Sequence, residues 1–397
     1  MSFATPASAP NRLSRGHALW LKASILVAFL AASSAPSPLY AIYREAWGFS
    51  ALTLTVVFAS YALALLGSLL VFGGLSDHRG RREVLIAALV LEVAAVVLFW
   101  RAESVAWLLG ARVLQGVATG IATSTLSAGL LDLHRERGAL VNSVAPMLGL
   151  GLGALGTSVL VEFAPMPTKL VFDMLLLVFA LQTIGAFFLP ETVERRPGAW
   201  RSLKPSIAIP AAARTTMWQV MPIAGAQWAL GGFYLSLGPT LARAVTGHAA
   251  PTIGGALVAA LVLSAAVAIL LVRERAPRST LLMGALGLAV GVTITLAGVA
   301  LHSTAAFFAG TVVAGLGFGS AFNGAVRSLV PLARPHERAG LFSGFFVLSY
   351  LAFSLPAIVA GLAAGRFGLQ ATSLGFGLVL VAVAGAAMLA IRRPRLA

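Results

Sequence analysis

Long apolar runs dominate this chain, and polar residues fall between them as short punctuation. Windows free of Asp, Glu, Lys and Arg cover 23–43, 46–76, 113–131, 138–161, 215–242, 279–326, 339–365 and 367–391. Each can cross a bilayer at least once, because a transmembrane helix needs about 20 apolar residues. The 279–326 window exceeds one crossing and is expected to turn at His302-Ser303. Cutting the pattern at its polar, Gly and Pro positions predicts twelve helices, at 18–43, 51–74, 83–100, 104–131, 138–162, 168–190, 215–241, 251–272, 279–301, 303–332, 341–364 and 369–391. The runs lack strand-like alternation and far exceed a barrel strand, which excludes a β-barrel. The expected class is an all-α integral membrane protein.

Composition agrees. Only 10% of residues are charged and 59% are hydrophobic, whereas a soluble domain carries roughly 25% charged residues. The net charge of +15 would suit a nucleic-acid partner on a soluble surface. With twelve spans and a cytoplasmic start, the 28 Lys and Arg residues divide instead into 22 cytoplasmic, 5 external (Arg44, Arg101, Lys169, Arg243, Arg366) and one intramembrane, Arg112. That is the positive-inside asymmetry, which sets orientation. It implies cytoplasmic termini in a bacterial-type inner membrane, with the lipid bilayer as partner and no nucleic acid. The chain has no cysteine, so disulfides and thiolate metal sites are excluded. Arg12, Arg15 and Lys22, an apolar run and Ala31-Ala32-Ser33-Ser34-Ala35 have the form of a cleavable signal peptide. Apolar character continues through Leu39-Tyr40-Ala41-Ile42, so an uncleaved first helix is expected.

The polar, Pro-containing stretch 191–214 reads as a cytoplasmic linker. It divides the chain into six-helix regions at 1–190 and 215–397. Gly116-x-x-x-Gly120 has a counterpart in Gly315-x-x-x-Gly319, offset 199. Glu136-Arg137-Gly138-Ala139-Leu140 has one in Glu337-Arg338-Ala339-Gly340-Leu341, offset 201, and Glu274-Arg275-Ala276-Pro277-Arg278 weakly echoes the 2–3 loop. Nearly constant offsets argue for duplication into two pseudo-symmetric six-helix bundles.

That 2–3 loop reads Gly73-Gly74-Leu75-Ser76-Asp77-His78-Arg79-Gly80-Arg81-Arg82. It resembles the signature loop of the major facilitator superfamily of transporters, Gly-x-Leu-x-Asp-Arg-x-Gly-Arg-Arg. Gly74, Leu75, Asp77, Gly80, Arg81 and Arg82 match, and His78 departs from the pattern. Leu189-Pro190-Glu191-Thr192 is similar to the sequence often found where helix 6 of that superfamily leaves the membrane. The resemblance implies a central cavity between two bundles, each an inverted three-plus-three repeat. It also implies a gate, with Asp77 at the N-terminus of the eleventh helix around Gly340–Gly344, where an anion is favoured. Arg81 and Arg82 would then meet the membrane face and carboxylates such as Asp132. A purely topological role accounts for the arginines but not for Asp77 with Gly74 and Gly80.

Arg112 lies six residues into an otherwise uncharged helix, a costly place for a cation. It can snorkel about 7–9 Å to the external headgroups or face a cavity. Arg112-Val113-Leu114-Gln115-Gly116 with Gly120 resembles the helix 4 motif Arg-x-x-Gln-Gly-x-x-x-Gly associated with proton-coupled members, which implies the cavity. Glu92 and Asp173 are the acids lying deepest by sequence position and are the candidate proton carriers beside Arg112. A structural pair or interhelical hydrogen bond for Glu92 and external exposure for Asp173 are the alternatives. Ala145-Pro146-Met147-Leu148-Gly149-Leu150-Gly151-Leu152-Gly153 resembles the Gly-Pro-x-x-Gly-Gly core of the antiporter motif, with Ala145 and Leu150 replacing two glycines. Physically, Pro146, Gly149, Gly151 and Gly153 make a kinkable helix with a smooth face; the resemblance favours export. Other cavity candidates are Tyr40, Tyr61, Gln115, Asn142, Gln182, Gln227, Trp228, Tyr234, Asn323 and Tyr350, a mostly aromatic, uncharged set suited to lipophilic or neutral substrates. The first helix lacks the membrane acid of some drug–proton antiporters.

No phosphate-cradling loop, metal triad or nucleophile elbow occurs in the sequence, so no cofactor, metal or enzymatic activity is expected. An ion gradient is the expected energy source. The reading is a monomeric, proton-coupled exporter of small, largely apolar compounds. The alternatives are an uptake symporter or facilitator for a small metabolite, and a non-transporting receptor or scaffold. Its topology is testable with single introduced cysteines. Cysteines at 198 and 394 are expected to resist an impermeant thiol reagent applied outside, and one near Gly247 to react.

Overall fold

The computed structural model describes residues 12–205, 209–334 and 337–392, so position 394 and residues 206–208 of the linker region lie outside it. In chain order its helices are α1 (Arg15–Ser34), α2 (Pro36–Trp47), α3 (Ala51–Phe72), α4 (Leu75–Arg79), α5 (Arg81–Trp100), α6 (Val105–Leu133), α7 (Arg135–Phe163), α8 (Pro167–Phe187), α9 (Ala199–Ser202), α10 (Ala211–Ser236), α11 (Gly238–Thr246), α12 (Pro251–Val272), α13 (Pro277–Ala300), α14 (Thr304–Leu329), α15 (Arg338–Phe367) and α16 (Leu369–Arg392). Helices dominate because a chain in lipid must satisfy its backbone groups internally. Side-chain caps at Ser14, Ser50 and Ser303 and first-turn prolines at 36, 167, 251 and 277 mark the starts. Among the described residues, eleven segments are long and apolar enough to cross a membrane, α1 and α2 counting as one of 33 residues. The more polar α10, carrying Gln219 and Gln227, completes the twelve.

Two helices expected to be continuous are broken. α1 stops before Pro36 and α10 before Gly238-Pro239, because proline lacks a donor and crowds the carbonyl four residues back. Both outer segments end on a left-handed glycine, Gly48 (φ 64) and Gly247 (φ 70). Each glycine donates its N–H to an arginine carbonyl, Arg44 at 2.9 Å and Arg243 at 3.0 Å. These pairs share the 199-residue offset of the glycine motifs. The motifs pack alike as well. Gly116 and Gly120 seat α6 on the α3 backbone at Tyr61 and Leu65, and Gly315 and Gly319 seat α14 on α12 at Leu261 and Ala265. The fold is two pseudo-symmetric six-helix bundles.

The bundles meet along α7 with α12 and α3 with α15. We call the side carrying α4 and the α8–α10 connection the linker face, and its opposite the far face. Among the described residues, the hydrogen bonds and ring contacts between bundles lie towards the far face. Phe58 meets Phe353 at 5.2 Å, Gly361 fits against Thr55, and Gly255 against Ser158. The Glu162 carboxylate accepts from Thr252 N at 3.1 Å and Oγ1 at 2.5 Å, capping α12 from the opposite bundle. Such a cap is worth about 0.5–2 kcal/mol. Glu162→Ala is therefore expected to loosen this face by about fivefold in population, read as faster labelling of a buried Ser158→Cys thiol.

Candidate functional site

Arg112 is fully buried on α6, one helical turn before Gln115 on the same face. Its Nε donates to the Tyr40 hydroxyl at 2.5 Å, and Nη1 donates to Ser33 O at 2.7 Å and Gln115 Oε1 at 2.8 Å. The guanidinium carbon lies 5.4, 5.3 and 5.6 Å from the ring centroids of Tyr40, Tyr61 and Phe99. Proline supplies part of this arrangement. Pro36 has no N–H for the Ala32 carbonyl, which accepts from Gln115 Nε2 at 3.1 Å instead. The same amide nitrogen donates to Glu92 Oε1 at 3.1 Å, and Glu92 is fully buried on α5. Arg112 and Glu92 are thus joined through Gln115 and form no direct ion pair. One atom of each, Arg112 Nη2 and Glu92 Oε2, has no partner among the described residues. Asp173 is elsewhere: it is exposed on α8, a helix whose Met174, Leu177, Leu181 and Ile184 also face outwards. Its depth along the helix was readable, but its facing was not.

A second charged cluster occupies the linker face. Arg81 pairs with Asp77 at 2.6 Å and Asp132 at 3.2 Å, and donates to Ser76 Oγ at 2.7 Å. Thr192 Oγ1 adds a bond to Asp132 at 2.8 Å. The Glu191 carboxylate accepts from the backbone of Arg81 at 2.8 Å and Arg82 at 3.2 Å, capping α5. Gly80 makes this possible: its φ is 105, and a Cβ there would strike Glu191 Oε2. Gly74, with no Cβ, sits against Ser202 of α9. In this conformation Asp77 pairs with Arg81, four residues on at the start of α5, and no bond from it to α15 occurs among the described residues. Lys22, which reads in sequence as a flanking cation, is buried beneath this cluster. It donates to Gly129 O at 3.2 Å, in a notch left by the missing Cβ of Gly129. Only its place seven residues past the start of α1 hinted at this.

Between the bundles, Trp228 of α10 contacts Tyr350 at 4.8 Å and Phe353 at 5.8 Å, while Phe58 and Tyr61 of α3 pack into the same cluster. The carbonyl oxygens of Gln227 and Asn323 and the indole N–H of Trp228 have no partner among the described residues. Three other candidates are tied within a bundle: Asn142 to Ser127 O at 2.9 Å, Gln182 to Ser24 Oγ at 3.4 Å and Tyr234 to Thr311 at 3.0 Å. On α7, which contains Pro146, Gly149 and Gly153 lie against the α1 backbone at Val27 and Ala31, and Gly151 faces Leu263 of α12. The helix thus packs on its own bundle and on the other one.

Several solved transporters share this architecture. The nucleoside transporter NupG, in a mutant form, superposes with a TM-score of 0.74 at 13% identity, covering 96% of this chain and all of that one. The human organic anion transporter MFSD10 (TETRAN) gives 0.69 at 17% with the same coverage, and a further NupG structure 0.70 at 12%. At such identities the likeness concerns the fold alone. No curated protein matches the sequence. The family profile of the Major Facilitator Superfamily does, over residues 23–275, and with the two-bundle fold this shows that the chain is a multi-pass membrane protein belonging to that superfamily of transporters.

Proposed function

We propose that this transporter is a proton-coupled exporter of small, largely apolar compounds, with its linker face in the cytoplasm and Glu92 as the proton carrier. The observation that carries the reading is the buried Arg112–Gln115–Glu92 chain. Charged groups inside a membrane protein are expensive and mark ion pathways by default. Here the acid is held close to the cation without being locked to it. When Glu92 is ionised, its free Oε2 is drawn towards the free Nη2 of Arg112; when it takes up a proton, the acid is neutral and that attraction is lost. A bundle movement that alternates these arrangements takes up a proton on one side and releases it on the other. The substrate would occupy the aromatic region around Tyr61, Trp228 and Tyr350, where Gln227 and Asn323 offer the few polar contacts. Export over uptake rests on Pro146 within the continuous α7 and on that helix's small-residue face, which together resemble the antiporter motif.

The reading is tested in proteoliposomes by substrate-dependent proton movement. Substrate uptake driven by an inward proton gradient, with protons entering alongside it, would make the protein a symporter, and transport without proton movement a facilitator. Arg112→Ala is expected to abolish gradient-driven transport. Glu92→Gln should keep substrate binding but lose its coupling, and Asp173→Asn should leave coupling unchanged. Gln115→Leu removes the bridge and leaves buried acceptors unpaired, at about 1–3 kcal/mol of stability, read as a lower unfolding temperature in the same preparation. At the gate, Asp77→Asn is expected to shift the population towards cytoplasm-open states by up to about thirtyfold, measured as faster labelling of a cysteine placed at Asn142.

A further inference from the structure

The far face holds a cavity of about 430 Å³ between α2 and α11, the two outer segments created by the helix breaks. That volume falls in the range of small-molecule sites, about 300–1,000 Å³. Arg44 lines it from one bundle and Arg243 from the other, at equivalent positions of the internal repeat. Neither has a carboxylate within ion-pair distance among the described residues. Glu45 is the acid in the lining, leaving two guanidinium groups against one carboxylate. At the wall, Ser37 is only 4% exposed, and its hydroxyl has no partner among the described residues. The rest of the lining includes apolar Leu54 and Pro239. Forked cationic donors, an unfilled hydroxyl and an apolar wall together match a carboxylate on a small organic body.

We propose that this cavity is a binding site for a small organic carboxylate, held by Arg44 and Arg243. The ligand's two carboxylate oxygens take a donor from each bundle, so it ties the bundles together at the far face. A ligand that binds one conformation better than another shifts the population towards it. Tyr40, whose hydroxyl receives Arg112 Nε, lines the same cavity. Occupancy is therefore one side chain away from the buried cluster. The site goes beyond the transport reading, because it requires neither a proton gradient nor passage of the ligand through the protein.

The test is direct binding of benzoate to purified protein in nanodiscs by calorimetry, with benzamide as the neutral isostere. Saturable binding of benzoate and not of benzamide is expected. Arg44→Gln and Arg243→Gln should each weaken it by about tenfold or more, the loss expected for a hydrogen bond to a charged group. Thr240→Phe, which fills the cavity and keeps both charges, should abolish it, and Arg366→Gln, elsewhere on the same face, should not change it. Saturating benzoate should also slow labelling of Ser158→Cys. Absence of benzoate binding, equal binding of benzamide, or affinity indifferent to the two arginines and to Thr240→Phe would overturn the proposal. None of these results depends on whether transport is proton-coupled.

Discussion

A guanidinium sealed inside a helical bundle imposes one demand on everything near it: five N–H donors and a full charge must be accommodated without water. Arg112 meets three of those donors with dipoles and leaves Nη2 without a partner among the described residues. It draws on a carbonyl that α1 turns inwards before its break, the Gln115 amide, a phenol and three ring faces. The interruption of α1, the one-turn spacing of Arg112 and Gln115, and the placement of Glu92 on the neighbouring helix make sense together. Remove any one and a buried group loses its partner.

The second buried arginine shows the opposite solution. Arg81 lies at the rim, where water screens its partners, and it bonds two carboxylates directly. Near solvent a direct ion pair is inexpensive to form and to break. In the interior, breaking one would leave a bare charge in low dielectric, and there the acid is held at one remove from the cation. The two sites differ in chemistry because they differ in depth.

Much of this was legible in the chain. Uncharged windows located the spans, and the 199-residue offset revealed the repeat. Arg112 stood out because no apolar helix carries an arginine without reason. What the sequence withheld was facing and backbone. Asp173 and Glu92 look alike in one dimension, yet α8 turns the first outwards while α5 turns the second inwards. Gln115 read as lining and is in fact the bridge. Lys22 read as a flank because its partner is a carbonyl 107 residues away, and carbonyls have no sequence signature. Arg44 and Arg243 read as topology; only the folded halves bring them to one cavity.

The break in α1 carries an evolutionary consequence. The oxygens that Arg112 and Gln115 use there belong to the main chain at residues 32 and 33. Every amino acid supplies that oxygen, so substitutions at these two positions are filtered by size and not by chemistry. The information for this half of the site is stored instead in Pro36, which gives the arginine no hydrogen bond. In relatives of this chain, the proline should persist while the residues presenting the oxygens drift.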